Sequence, residues 1–265
     1  MSELLELPTY SAETDSKSDN STVLRTAVAA GMLGAAVVVA RPARAVTPAL
    51  TFSQIPGTGD VKVLNYALAL EALEADLYQQ AILRLTTGGT NALGQTIPGL
   101  GLSSTELDVQ YLREFAQVEM EHRTFLNQNL GAASIIGPGT NGILANAKFD
   151  FGFANSATNS RQQVLELIYT AEATGVQAYL GAIPSFVTKN YLSAAAGIQG
   201  TEARHTAVIA IVYNLLGFRP LKDTAPLVGQ TTSILGTTNT SGIDGTLTPD
   251  QVLAAVSPFI VLPTT

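Results

Sequence analysis

Apolar residues recur at helical spacing in four long stretches of the chain. Each stretch places apolar side chains three and four positions apart and contains no proline, so the pattern predicts four long helices, over residues 61–85, 103–130, 160–183 and 191–217. A shorter apolar run at 248–260 predicts a short capped helix. No segment alternates convincingly with period two. The chain is therefore predicted to be all-α, with a four-helix bundle as its core.

Helix boundaries are marked by capping residues. Asp60 precedes the first apolar run and is a good N-cap candidate. Ser103 followed by Glu106 has the spacing of a capping box and is expected to open the second helix, which Gly131 ends. Pro184 stops the third helix.

Glycine-, asparagine- and threonine-rich segments connect the helices. Residues 86–102 and 131–158 are predicted to be long connecting loops. The sequence thus divides into an N-terminal arm at 1–57, a bundle at 58–217 and an irregular C-terminal tail at 218–265 that packs on the bundle.

The N-terminal arm contains a segment that resembles a secretory signal. Residues 25–45 combine a basic residue, an apolar stretch of about 15 residues and the ending Ala43-Arg44-Ala45, which predicts cleavage after Ala45. The preceding residues are acidic, however, and there is no twin arginine. The alternative is a retained arm that contacts a membrane or an envelope protein through residues 24–40. We expect export to the periplasm or cell envelope, with a cytoplasmic location left open.

Composition excludes several classes of function. The formal net charge is -7 and the chain has no basic block, which argues against nucleic acid as a partner. It has no cysteine, so disulfides, zinc ribbons, iron–sulfur clusters and thiol nucleophiles are ruled out.

Both histidines of the chain follow a glutamate at the same distance. Glu119 precedes His122 by three residues, and Glu202 precedes His205 by three. Residues three apart share one face of a helix. The surroundings at 191–217 are strongly apolar, so these carboxylates are expected to be buried, and a buried charge needs a partner or a metal.

The two helix pairs form an internal repeat. Residues 70–82 align with 171–183, which places Glu71 on Glu172 and Tyr78 on Tyr179, and "VEMEH" aligns with "TEARH". Each pair thus offers one glutamate and one Glu-x-x-His motif. Four carboxylates balance the charge of two divalent cations, and two neutral imidazoles complete the set of ligands.

With these motifs the sequence resembles the ferritin-like superfamily, and most closely the bacterial ferritin-like domain proteins of the desiccation-related type. The resemblance covers roughly residues 58–262 and rests on "LNYALALEALEADLY", "EMEH", "AEATGVQAYLGAI", "EARH" and "LTPDQVLAAVSPFI". It implies a ferritin-like di-metal bundle, with Glu119 and Glu202 as the catalytic residues that bridge the two ions. The implied ligands are Glu71, Glu119, His122, Glu172, Glu202 and His205.

The residues leave some assignments open. Glu74 shares a helix face with Glu71 and could replace it as the first-helix ligand, although the repeat favours Glu71 because Glu74 aligns with Gly175. The two tyrosines could support the ligands, but large aromatic side chains inside a bundle are more often core. The remaining acidic side chains of the second helix are expected on the helix surface or at its cap: Glu106, Asp108, Glu114 and Glu121.

Carboxylate and imidazole ligands without sulfur suit iron or manganese. We therefore expect two iron ions, with manganese as the alternative, and either ferroxidase activity or consumption of dioxygen or peroxide in stress protection. A homo-oligomer is also expected, although the long loops argue against a storage cage. Two other interpretations stay open: an envelope-associated structural or interaction protein with structural metal, and a metal-independent helical binding module.

Overall fold

The computed structural model describes residues 50–154, 159–218 and 244–262. The predicted signal segment at 25–45 and the predicted membrane contact at 24–40 lie outside the described residues. So does the part of the tail at 219–243.

Four long helices and one short helix dominate the described chain. They are α1 Gly59–Leu85, α2 Leu107–Leu130, α3 Arg161–Ala182, α4 Lys189–Leu215 and α5 Pro249–Val256. Helix α1 packs mainly on α2, and α3 mainly on α4, while α1 also contacts α3 and α2 contacts α4. The predicted all-α four-helix architecture is confirmed. Among the described residues, no helix is both long and apolar enough to cross a membrane.

The predicted role of Asp60 as an N-cap is wrong. Helix α1 already begins at Gly59, so Asp60 lies in its first turn. Its carboxylate accepts the backbone N–H groups of Val187 at 2.8 Å and Thr188 at 3.0 Å. The side chain therefore joins the start of α1 to the start of α4, a contact between distant segments that local spacing does not reveal.

The predicted capping box of α2 is also wrong, because its glutamate has a different partner. Helix α2 begins only at Leu107, and Glu106 accepts a hydrogen bond from Arg161 Nη2 at 2.8 Å. Asp108, expected on the surface, is buried and receives two hydrogen bonds from the same guanidinium at 2.8 and 2.6 Å. This two-pronged ion pair ties the start of α3 to the start of α2.

The connection between α1 and α2 contains a β-hairpin that was predicted as loop. Strand β1 Gly88–Thr90 pairs antiparallel with β2 Thr96–Pro98, with Gly89 opposite Ile97. Three-residue strands are too short to produce a visible alternating pattern. Gly88 has a φ of 76°, and a Cβ atom there would lie 2.5 Å from the backbone oxygen of Ile97, so the hairpin requires glycine at this position.

The described part of the tail packs on the bundle. Helix α5 lies against α3, and its residues Val252 and Leu253 are completely buried. The backbone N–H of Leu247 donates to the carbonyl of Gln177 at 3.2 Å. After α5, β4 Ile260–Val261 pairs antiparallel with β3 Lys148–Phe149, which lies in the connection between α2 and α3.

A polar layer crosses the otherwise apolar interior of the bundle. Leu, Ile, Val and Phe side chains from all five helices form one buried cluster, together with several buried tyrosines. Within it lie five buried glutamates and one buried histidine: Glu71, Glu74, Glu119, Glu172, Glu202 and His205. Buried carboxylates at this density are rare unless they are paired or bind metal.

Candidate metal centre

The four long helices bring all six predicted ligand residues together. Helices α1 and α3 each supply one glutamate, while α2 and α4 each supply one Glu-x-x-His motif. The four glutamates are completely inaccessible to solvent, whereas the side chain of His122 is 13% exposed. Because residues three apart share a helix face, each motif presents its glutamate and its histidine to the same interior space.

Four of these side chains form a first group around His122. One ligand atom from each of Glu71, Glu119, His122 and Glu202 lies within 4.8 Å of the others. His122 Nδ1 is 3.1 Å from Glu119 Oε2, 3.4 Å from Glu71 Oε2 and 3.5 Å from Glu202 Oε1.

A second group forms around His205. It contains Glu119, Glu172 and His205, again with ligand atoms within 4.8 Å of one another. His205 Nδ1 lies 2.9 Å from Glu119 Oε1 and 3.4 Å from Glu172 Oε2. Glu119 therefore presents one carboxylate oxygen to each histidine, which is the arrangement expected of a carboxylate shared by two ions.

Many atoms that face this centre lack a hydrogen-bond partner among the described residues. Although His205 Nδ1 and Glu119 Oε1 are 2.9 Å apart, they are not aligned for a hydrogen bond. Buried polar atoms are nearly always satisfied in folded proteins, so the donor set fits metal cations. The unsatisfied ligand atoms are Glu71 Oε2, Glu119 Oε1, Glu172 Oε2, both oxygens of Glu202, and His205 Nδ1.

Crowding and burial shift the pKa values of three carboxyl groups upward. Burial raises the pKa of Glu71 to about 8, and the charges of Glu202 and Glu119 add to the effect while His122 opposes it. Burial also raises the pKa values of Glu172 and Glu202 well above the ordinary range, with further increases from neighbouring carboxylates. Without cations, the site therefore retains protons on some of its carboxyl groups.

The pKa values of Glu119 and His122 shift in the directions that favour an ion pair between the two side chains. Burial acts to raise the pKa of Glu119, but its hydrogen bond with His122 and its close contact with His205 outweigh burial and lower the pKa to about 2. Burial acts to lower the pKa of His122, yet its hydrogen bond to Glu119 and the nearby carboxylates of Glu202 and Glu71 raise it to about 12. A protonated His122 thus supplies positive charge where a cation would otherwise do so.

Two tyrosines support the carboxylates in a crossed arrangement. Tyr78 on α1 donates a hydrogen bond to Glu172 Oε1 on α3. Tyr179 on α3 donates to Glu71 Oε1 on α1 at 2.5 Å. Burial, followed by the neighbouring carboxylates, raises both tyrosine pKa values well above the ordinary range, so the hydroxyls stay protonated. These side chains are core residues that also orient the carboxylates, and each leaves Oε2 of its partner facing a histidine.

Glu71 and Glu74 are both buried at the site but differ in their placement. Glu71 lies in the first group, whereas Glu74 belongs to neither group but is buried beside them, with its Oε2 unsatisfied among the described residues. Sequence reasoning treated the two as alternatives, and both point into the interior. Glu121 is exposed, as expected, and bonds to Gln117 at 3.0 Å.

Phe115 is a neighbour of the site that sequence reasoning missed. Its ring stacks on His205, with centroids 3.9 Å apart. The available signal was its position four residues before Glu119, which places it on the same face of α2.

Comparison with known families agrees with this geometry. The profile of the ferritin-like domain family matches residues 59–215, which span α1 to α4 and contain all six predicted ligand residues. The chain belongs to the ferritin-like domain family. The match is to the family as a whole and does not single out the desiccation-related group. No curated protein and no solved structure gives a significant match to the chain.

Proposed function

We propose that this protein binds two ions of iron or manganese and uses them to oxidise ferrous iron or to consume dioxygen or peroxide. The observation that carries the proposal is the convergence of six side chains from four helices, most of whose inward atoms have no hydrogen-bond partner among the described residues. Oxygen and nitrogen ligands without sulfur favour iron and manganese over copper(I) and structural zinc.

The geometry supports a division of the ligands between two positions. One ion would be held by Glu71 and His122, and the other by Glu172 and His205. Glu119, which presents one oxygen to each histidine, would bridge them. The repeat and the family resemblance assign the same bridging role to Glu202, as the second member of the catalytic pair. Four carboxylates would then neutralise two divalent cations, which offsets both the burial and the mutual repulsion that raise the carboxyl pKa values in the absence of metal. Two adjacent redox-active ions would supply the electron transfer to dioxygen or peroxide.

The surrounding residues prepare the site for this chemistry. Hydrogen bonds from Tyr78 and Tyr179 orient Glu172 and Glu71 and leave their second oxygens free for ions. The apolar helix faces keep bulk water away from the centre. His122, at 13% exposure, is the most accessible of the six ligands, so its side of the bundle is the favoured entry for a small uncharged substrate.

The cellular setting is part of the same proposal. Because the chain has no cysteine, a sulfur-ligated electron-transfer centre within it is ruled out, and any electron donor would be a separate molecule. We propose that the protein is exported to the cell envelope, where it would remove oxidants under stress. If the N-terminal arm is retained and not cleaved after Ala45, it would contact a membrane or an envelope protein through residues 24–40. In either case we propose that the protein acts as a homo-oligomer.

Metal analysis of the purified protein tests the proposal. After anaerobic reconstitution, we expect about two ions per chain, and fewer than about 0.3 would contradict metal binding altogether. Absorbance at the ferric charge-transfer bands and an oxygen or peroxide electrode would then follow turnover. The Glu119→Ala variant, which lacks the carboxylate shared by both groups, is the matched negative control.

A structural role is the second candidate, supported by the nearly complete burial of the site. Five of the six ligands are less than 5% exposed. If the metal only stabilises the bundle, the loaded protein should retain two ions and melt at a higher temperature than the metal-free protein. It should then fail to accelerate the disappearance of ferrous iron or peroxide over the Glu119→Ala control.

A further inference from the structure

The internal repeat is broken at one position inside the site. Glu71, Tyr78 and the Glu-x-x-His motif of α2 all have identical counterparts in the second helix pair. Glu74 does not, because its counterpart is Gly175. One helix pair therefore has a buried carboxylate at this position of the repeat, and the other pair has a glycine with no side chain.

The space left by Gly175 is taken up by carboxylates. A Cβ atom built on Gly175 would lie 2.7 Å from Glu202 Oε2 and 3.4 Å from Glu74 Oε1. Any other residue at this position would therefore require the Glu202 carboxylate to move. The absence of a side chain at Gly175 leaves space that the carboxylate oxygens of Glu202 and Glu74 border.

One carboxylate oxygen of Glu74 has no compensating contact in the described part of the chain. Glu74 is only 4% exposed, and its Oε2 has no hydrogen-bond partner among the described residues. A fifth buried carboxylate, placed against Glu202, is unfavourable unless a cation or a proton lies close by. The six-ligand scheme gives this residue no role.

Two neighbours of Glu74 link it to the His122 side of the centre. Glu71 lies three residues earlier on the same face of α1, and Glu202 lies across the Gly175 gap. Both belong to the group around His122. Because Glu202 is also a proposed bridge between the two ions, the assignment of Glu74 to this position rests on Glu71, which serves the His122 position alone.

We infer that Glu74 is an additional metal-binding carboxylate, which serves the ion position formed by Glu71, His122 and Glu202. This inference rests on the proposed function. One position then has an extra anionic oxygen and the other does not, so the two differ in charge and affinity despite the repeated ligands. The position with the additional carboxylate fills first and favours hard, highly charged ions.

Anaerobic titration with Mn²⁺ tests this inference without relying on activity. The free ion is followed by electron paramagnetic resonance in wild type, in Glu74→Gln and in a matched exposed control, Glu121→Gln. For wild type we expect two binding steps whose Kd values differ at least about 10-fold, the scale on which groups around a metal affect affinity. Glu74→Gln should weaken the tighter step by about 10-fold and leave the weaker step unchanged. Glu121→Gln should match wild type.

Removing one histidine at a time assigns the affected position. In His205→Ala protein, adding Glu74→Gln should weaken the remaining ion by about 10-fold, whereas in His122→Ala protein it should change the Kd by less than about twofold. Circular dichroism verifies that each variant keeps its helices.

Several outcomes would overturn the inference. The Glu74→Gln titration could superimpose on that of wild type, or the loss could be equal in both histidine backgrounds. Two indistinguishable steps in wild type would also contradict it. Each of these results leaves the two-ion proposal intact, whereas a wild-type protein that takes up no Mn²⁺ contradicts both.

Discussion

The pair α1 and α2 and the pair α3 and α4 carry the same ligands in different surroundings. Each pair contributes one glutamate, one Glu-x-x-His motif and one tyrosine that bonds to the other pair. His205 is buried and stacks on Phe115, whereas His122 is partly exposed, and the repeat places Ile198 at the position equivalent to Phe115. The glutamate at 74 faces the glycine at 175.

This comparison separates what a two-ion site requires from what it tolerates. Under the proposed two-ion function, the donor atoms are repeated because two cations of equal charge would need equal sets of ligands. Solvent access, ring stacking and the extra carboxylate vary because they act on each position separately. The ligands are thus nearly symmetric, while their environments are not.

The largest effect is expected where the two halves meet. Glu119 contributes one oxygen to each group, so Glu119→Ala should weaken both ions by at least about 100-fold, beyond the usual effect of an outer-shell change. Metal content after desalting measures the loss, and Glu121→Ala is the control. Retention of either ion at wild-type affinity would show that Glu119 is not shared.

Removal of metal should reverse the usual dependence of stability on pH. Because the pKa of Glu71 is raised from 4.5 to about 8, the folded metal-free protein binds a proton there that the unfolded chain has lost. Its contribution is complete below pH 4.5 and disappears as pH rises towards 8. His122, raised from 6.5 to about 12, acts in the same direction above pH 6.5. Unfolding free energy should therefore fall between pH 5 and 8, by on the order of 5 kcal/mol.

Urea unfolding of the chelated protein, followed by circular dichroism, measures this change. Below pH 4.5 the trend should turn over, because Glu119, lowered to about 2, loses its stabilising charge as pH falls. Glu71→Gln and Glu172→Gln, one from each helix pair, should each flatten the slope above pH 5. A stability that climbs steadily from pH 5 to 8 would contradict buried, protonated carboxyl groups.

Crossed hydrogen bonds predict crossed effects of tyrosine substitutions. Tyr78→Phe removes the donor to Glu172, and Tyr179→Phe removes the donor to Glu71. Each should weaken one ion by about 10-fold, as expected for a group that orients a ligand. Tyr78→Phe should affect the His205 position, and Tyr179→Phe the His122 position.

The matched control for these variants is Tyr191→Phe, near the start of α4 and roughly 16 Å along that helix from Glu202. Titration with Mn²⁺ in the single-histidine backgrounds reports which ion is weakened. If both tyrosine variants weaken the same ion, the crossed assignment is wrong.

The smallest effect is expected from Phe115, whose ring stacks on the histidine of only one ion position, His205. Phe115→Leu removes the ring stacked on His205 and should cost about 1 kcal/mol of unfolding free energy, the usual scale for an aromatic pair. It should change the affinity of the His205 position by less than about threefold. Ile198→Leu, at the equivalent site of the other half, is the control. An equal loss in both variants would mean that the stacking has no specific effect.

Sequence reasoning predicted the architecture because its signals are local. Apolar spacing locates the four helices to within a few residues, apart from the later start of α2. It failed at helix starts and in connections, where distant partners decide the outcome. Asp60 and Glu106 both have side chains that can cap a helix. Asp60 instead accepts a hydrogen bond from the backbone of Val187, and Glu106 accepts one from Arg161. The hairpin at 88–98 depends on one glycine conformation and leaves no periodic pattern.

The candidate ligands were likewise predictable, because the repeat and the Glu-x-x-His spacing are properties of the chain itself. What the sequence could not decide is how these side chains relate across helices. Only the tertiary structure showed that Glu119 presents an oxygen to each histidine, that the tyrosines bond to the opposite helix pair, and that Gly175 leaves room for Glu202 beside Glu74. Helical spacing determines which face a residue occupies, whereas the packing of one helix on another determines what it meets there.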